Sequence, residues 1–163
     1  MSVKDVICYL ALWSLIGAAL FSAFVGFVFR SGIVYTSRKE NGTLKESIPL
    51  RGILVMVAFL LSIVGFLVLA NYLGLARKHA HLGFGALFLL NMSLYLILFL
   101  FDTLIIDGFV LARWRPAFLH LSDQLGRESM REHITRSIPV GIVFGLIISG
   151  LSAAISCFVI KTL

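Results

Sequence analysis

Apolar residues run almost unbroken through four stretches of the chain, about 6–29, 52–74, 82–111 and 138–160, with polar and charged residues gathered between them. Each run is long enough to cross a bilayer, since about 20 residues at 1.5 Å rise cover roughly 30 Å of hydrocarbon. A helix satisfies its own backbone groups in lipid within one segment, so each run predicts a helix. The expected fold is all-α: one membrane domain over residues 1–163, an antiparallel four-helix transmembrane bundle.

The first run has features of a secretory signal, with Lys4 ahead of it and small residues at Ser22 and Ala23. It nevertheless continues through Phe24, Val25, Phe27, Val28 and Phe29 to Arg30. A signal's apolar region is about 7–15 residues and ends in a polar cleavage zone, so an uncleaved first span is expected. In the first connection, Val34–Thr36 and Thr43–Ile48 flank Glu40-Asn41-Gly42. An Asn-Gly step suits a two-residue hairpin turn, whose central residues need positive φ. A short surface hairpin and a solvated loop both fit. The third connection, Arg115–Arg136, sets Phe118, Leu121 and Leu125 at helical spacing among mixed charges, the pattern of an interfacial amphipathic helix interrupted at Gly126.

Composition agrees with the pattern. Hydrophobic residues make up 60% and charged residues 13%, against about 45–50% and 25% in soluble domains. The net charge of +6 invites a nucleic-acid reading. The basic residues, however, lie beside the spans, where they set topology and meet anionic lipid headgroups, so no nucleic-acid partner is expected. Arg30, Arg38, Lys39, Lys45 and Arg51 occupy the first connection, and Arg113, Arg115, Arg127, Arg131 and Arg136 border or occupy the third. These ten oppose Lys4, Arg77, Lys78 and Lys161. The positive-inside rule then puts both termini outside the cytoplasm, and Asn41-Gly42-Thr43, a glycosylation sequon by pattern, inside it.

Candidate chemistry is sparse. Two cysteines, Cys8 and Cys157, form no C-x-x-C pair. They fall on the same predicted side, where they either bridge or serve as small apolar residues. His79 and His81 lie on the opposite predicted side from His120 and His133, so the four cannot share a metal, and two alone fall short of a ligand set. No metal and no cofactor are expected.

Within the runs, small residues recur every four positions. Ser14, Ala18, Ser22 and Gly26 form one row, and Gly141, Gly145, Ser149 and Ala153 another. Such rows let helix backbones approach closely, so the two rows are expected to pack together or to form a contact between copies of the chain. The third run carries the most suggestive polar positions. Asn91 and Asp102 are eleven residues apart, about three turns, and share a face with Tyr95. Ionisable groups at membrane depth are costly and usually face the bundle interior with a partner. Asn91, Tyr95, Asp102, Asp107 and Arg113 are therefore the candidate polar path or ion-pair network. In the ion-pair version, Asp102 and Asp107 meet Arg30, Arg51, Arg113 or Arg136 at the interface.

Asp107-Gly108 followed by Ala112-Arg113 invites comparison with the CDP-alcohol phosphotransferases, whose motif D-x2-D-G-x2-A-R-x8-G-x3-D-x3-D sets aspartates at helical spacing around two metals. Here four residues separate Asp102 from Asp107, Ala-Arg is displaced by one, and no Asp follows Gly126. That metal site is not assembled. The small multidrug-resistance proteins need a glutamate in the first span, and Val6–Phe29 holds no acid. The Gly-Asn motif of the fluoride channels is also absent. By contrast, Phe101-Asp102-x2-Ile105-Ile106-Asp107 followed by Arg113-Trp114-x-Pro116-x-Phe118 resembles a pattern in uncharacterised small bacterial four-span membrane proteins, across roughly residues 95–150. The chain departs from that pattern at His120-Leu121-Ser122-Asp123. The resemblance implies a bacterial inner-membrane protein and no known activity.

No nucleophile and base share a face, so an enzyme is not expected. The sequence points to a small integral membrane protein that acts through helix and loop contacts, in an accessory, immunity-type or assembly role. Its partners would be the lipid bilayer and a homo-oligomer or larger membrane complex. The alternative is an oligomeric channel or small transporter with a polar path along the third span.

Overall fold

The computed structural model describes residues 2–31, 36–40, 43–47, 50–75, 82–114 and 130–162. Helix α1, Val3–Ser31, opens on a capping box. The Ser2 Oγ accepts the Asp5 N–H at 3.2 Å, and the Asp5 carboxylate accepts the Ser2 N–H at 3.1 Å and hydroxyl at 2.7 Å. This reciprocal cap starts the helix at Val3, ahead of the apolar run that predicted it. Strands β1, Thr36–Glu40, and β2, Thr43–Ser47, pair antiparallel in the register Thr36↔Ser47 to Glu40↔Thr43. The described strands thus favour the hairpin over the plain loop. Asn41 and Gly42 themselves lie outside the described residues, as does the 118–125 pattern.

Helix α2 is Leu50–Leu75. Helix α3, Phe84–Phe101, follows Gly83, whose extended backbone (φ −70°, ψ 164°) turns the chain into the helix and whose carbonyl accepts from Ala86 and Leu87 at 3.1 Å. From Asp102 to Trp114 the chain winds wider, as a π-helix, continuing directly from α3. Helix α4 runs Met130–Thr162, starting well before the apolar stretch at 138 and passing through Pro139. Pro139 lacks the N–H that would close the turn on Thr135, a local relaxation where the helix enters its apolar part.

Apart from the hairpin, the described residues are helical. Four helices are long and apolar enough to cross a membrane, over Val3–Val28, Leu50–Leu75, Phe84–Val110 and Ser137–Val159. Large apolar side chains lie exposed on all four, among them Leu15, Leu61, Leu89 and Ile147. A helix that is apolar on its outward as well as its inward face suits a lipid surround.

The core is narrow. Leu67 and Ala70 of α2, Leu87 and Leu94 of α3 and Ala153 of α4 are completely buried. The most extensive contacts are those of α4 with α3 and with α2, and α1 leans mainly on α3. Trp13 meets the Phe66 ring edge-on at 5.9 Å between centroids, and Phe24 stacks on Phe59 at 4.7 Å. Lipid tails are as apolar as leucine, so in a membrane such contacts hold helices through dispersion and fit rather than through exclusion of water.

The two small-residue rows do not meet in the chain as folded. Gly141 and Gly145 pack under Phe99 and Tyr95 of α3, Ser149 faces Met92, and Ala153 is in the core. On α1 the buried face is Tyr9, Trp13 and Gly17, offset from Ser14, Ala18, Ser22 and Gly26. Ser22 donates to its own helix at Ala18 O, 2.8 Å away, and no atom lies within 4 Å of where a Gly26 side chain would begin. Tyr9 and Trp13, together with Gly17, rather than the row from Ser14 to Gly26, took the interior side of α1.

Candidate functional site

Two polar regions lie between the helices. The first is a hydrogen-bonded hub built by one residue from each helix. Asn71 of α2 is at its centre, completely buried. The Asn71 Oδ1 accepts the Tyr9 hydroxyl at 2.9 Å, while the Asn71 Nδ2 donates to Asn91 Oδ1 and to Ser156 Oγ, both at 2.9 Å. One amide therefore ties α1, α3 and α4 to α2. Its two donors and one acceptor are all engaged, which is how a buried amide avoids the cost of desolvation. The Asn91 Nδ2 is buried without a partner among the described residues. Beside the hub, Ser152 and Ser149 are fully buried and make only long contacts, to Val64 O at 3.5 Å and to the Met92 sulfur at 3.8 Å.

The second region is a half-open cavity of about 270 Å³ lined by residues from all four helices. Asp102, Thr103 and Asp107 of the π-helical segment and Ser137 of α4 line it together with Tyr95. Its other walls are apolar and rich in rings, with Phe21, Phe59, Phe99 and Phe144. Tyr95 donates its hydroxyl to Gly141 O at 3.1 Å, and its ring stacks parallel on Phe99 at 6.2 Å. This fixed ring explains the glycines at 141 and 145. A side-chain carbon at Gly145 would come within 2.6 Å of the Tyr95 ring, and one at Gly141 would strike Phe99.

The wide winding decides which carboxylates share the cavity. In an α-helix, residues five apart point about 140° away from each other at 100° per residue. In a π-helix the bonded turn closes over five residues, which stacks position 107 one turn on from 102. Asp102 and Asp107 consequently line the same space. Segments of π-helix are rare and concentrate at functional sites.

Of the predicted path, the structure brings Tyr95, Asp102 and Asp107 to the cavity and puts Asn91 in the hub. Arg113 is exposed and does not line the cavity. Among the described residues, no Lys or Arg pairs with Asp102. Tyr9, Asn71 and Ser156 were not singled out from the sequence. A lone asparagine within the apolar run 52–74 was the available signal, since an amide at membrane depth requires partners. Cys8 and Cys157 are free thiols, exposed and half-buried. The side chains of the histidines lie outside the described residues, and among the described residues no three His, Cys, Asp or Glu are grouped to hold a metal ion. Comparison with protein-family models, with curated proteins and with solved structures found no match to this chain.

Proposed function

We propose that the chain is a small polytopic integral membrane protein, an antiparallel four-helix bundle that works through helix and loop contacts in an accessory, immunity-type or assembly role. The observation that carries this reading is the half-exposed C-terminal part of the α1 row, Ser22 and Gly26. The chain's own packing uses the α4 row but leaves Gly26 open and Ser22 bonded only to its own helix, a face suited to a further helix from a copy or a larger complex. Successive contacts support alternating helix directions. Along α1, Tyr9, Trp13 and Phe24 meet Asn71, Phe66 and Phe59, descending α2. The excess of basic residues in the first and third connections supports both termini outside the cytoplasm, in a bacterial inner membrane.

A second reading, an oligomeric channel or small transporter, is favoured by one observation: Tyr95, Asp102 and Asp107 share a cavity among all four helices. Mass measurement in native nanodiscs, followed by ion flux from the same preparation in liposomes, separates the two. A defined complex that Gly26→Leu dissociates, with no flux, is the outcome expected of the contact protein. Flux abolished by Asp102→Asn in an intact assembly would replace that reading with the second.

A further inference from the structure

Building on the Asp102 cavity of the second reading, though not on flux through it, we infer that this cavity is a binding site for a small lipophilic organic cation. Three features of the site define that ligand. The first is volume. At about 270 Å³ the cavity holds roughly nine times a water molecule's share of the liquid, near the lower end of ligand sites. It suits a compact organic molecule.

The second feature is charge. Asp102 borders the cavity with Asp107 as its acidic neighbour, and no Lys or Arg among the described residues pairs with Asp102. A carboxylate at this depth requires a partner, and a positive charge delivered by a ligand satisfies it. The third is the character of the walls. Phe21, Phe59 and Phe144 line the same space as the carboxylates. Aromatic faces attract a cation, most strongly when water is excluded. The cavity thus matches an ammonium head with an apolar body, the head at Asp102 and the body against the rings.

The hub near the other helix ends lacks this combination, because its asparagines, tyrosine and serine carry no charge and are linked directly to one another through Asn71. Recognition is therefore assigned to the Asp102 end of the bundle alone.

The probe is benzyltrimethylammonium, a permanent cation with one ring, compared with neopentylbenzene, its uncharged carbon isostere. Calorimetric titration of the protein in nanodiscs, with empty nanodiscs as reference, separates binding from partition into lipid. The expected result is saturable 1:1 binding of the cation, at least about tenfold tighter than the isostere. Asp102→Asn should weaken the cation about tenfold or more and leave the isostere unchanged. Ile63→Phe, which adds a ring to the cavity wall while keeping Asp102, should abolish binding of both. Equal affinity for cation and isostere, wild-type cation affinity in Asp102→Asn, or no saturable binding by the wild type would each overturn the assignment. Should Asp102→Asn fail to fold, unchanged cation binding by Ile63→Phe would overturn it too. These are equilibrium measurements, so cation binding without flux in liposomes would sink the transport reading and keep the site.

Discussion

The Asn71 hub and the Asp102 cavity sit between the same four helices, yet their polar atoms are treated in opposite ways. At the hub, one amide engages a tyrosine, a second amide and a serine at 2.9 Å each, and the helices close around them. At the cavity, a carboxylate faces open volume beside a second carboxylate, with aromatic rings for walls. A neutral amide can be satisfied by neutral neighbours on adjacent helices, whereas a carboxylate calls for a compensating positive charge. The difference teaches where each region's worth lies: the hub holds the bundle together, and the cavity keeps room for something else.

Substitutions can break or sharpen this contrast. The largest effect belongs to Asn71→Ala, which removes three hydrogen bonds and strands the buried groups they served. A loss of about 2–3 kcal/mol is expected in unfolding titrations in mixed micelles. Stability equal to wild type would end the claim that the hub is structural. Next comes Gly145→Ala, whose new carbon lies 2.6 Å from the Tyr95 ring. Overpacking there should cost about 1–3 kcal/mol, and it should lower cation affinity as well, because Tyr95 also lines the cavity. An unchanged affinity would separate Tyr95 from the site.

Smaller effects test the two regions side by side. Ser156→Ala deletes one acceptor from the hub and should cost about 0.6 kcal/mol, the average for a hydrogen bond between helices in a membrane. Asp102→Asn should leave stability within about 0.5 kcal/mol of wild type, since it removes no hydrogen bond or ion pair found among the described residues. A fall of about 3 kcal/mol or more would instead mark Asp102 as half of a buried ion pair and dissolve the contrast.

How much of this was legible in the chain depends on what each residue pattern encodes. Four apolar runs dictated four long helices, because length and apolarity alone decide that a segment satisfies its backbone internally. The Asn-Gly step anticipated the pairing of Thr36–Glu40 with Thr43–Ser47. Asp102, Asp107 and Tyr95 stood out as costly polar groups in apolar surroundings, and the structure unites them at one cavity. The partners were not legible. Exposed and buried faces of these helices are alike in apolarity, so the sequence carries little information on how each helix is rotated about its axis. The row Ser14, Ala18, Ser22 and Gly26 had as good a claim to the interior of α1 as Tyr9, Trp13 and Gly17.

Only packing across the chain resolved that rotation. It set Tyr9 against Asn71 because both carry a polar atom that must be matched away from water, and it turned Trp13 inward onto Phe66. It separated Asn91 from Asp102 although their spacing of about three turns puts them on one face of the third apolar run, since the hub's partners come from the far ends of α2 and α4. It also widened the winding after Phe101, which carried Asp107 round to join Asp102. The sequence alone determined how many helices form and which residues would be costly among them. The tertiary structure decided which of those residues meet, because hydrogen-bond partners and helix winding depend on neighbours distant along the chain.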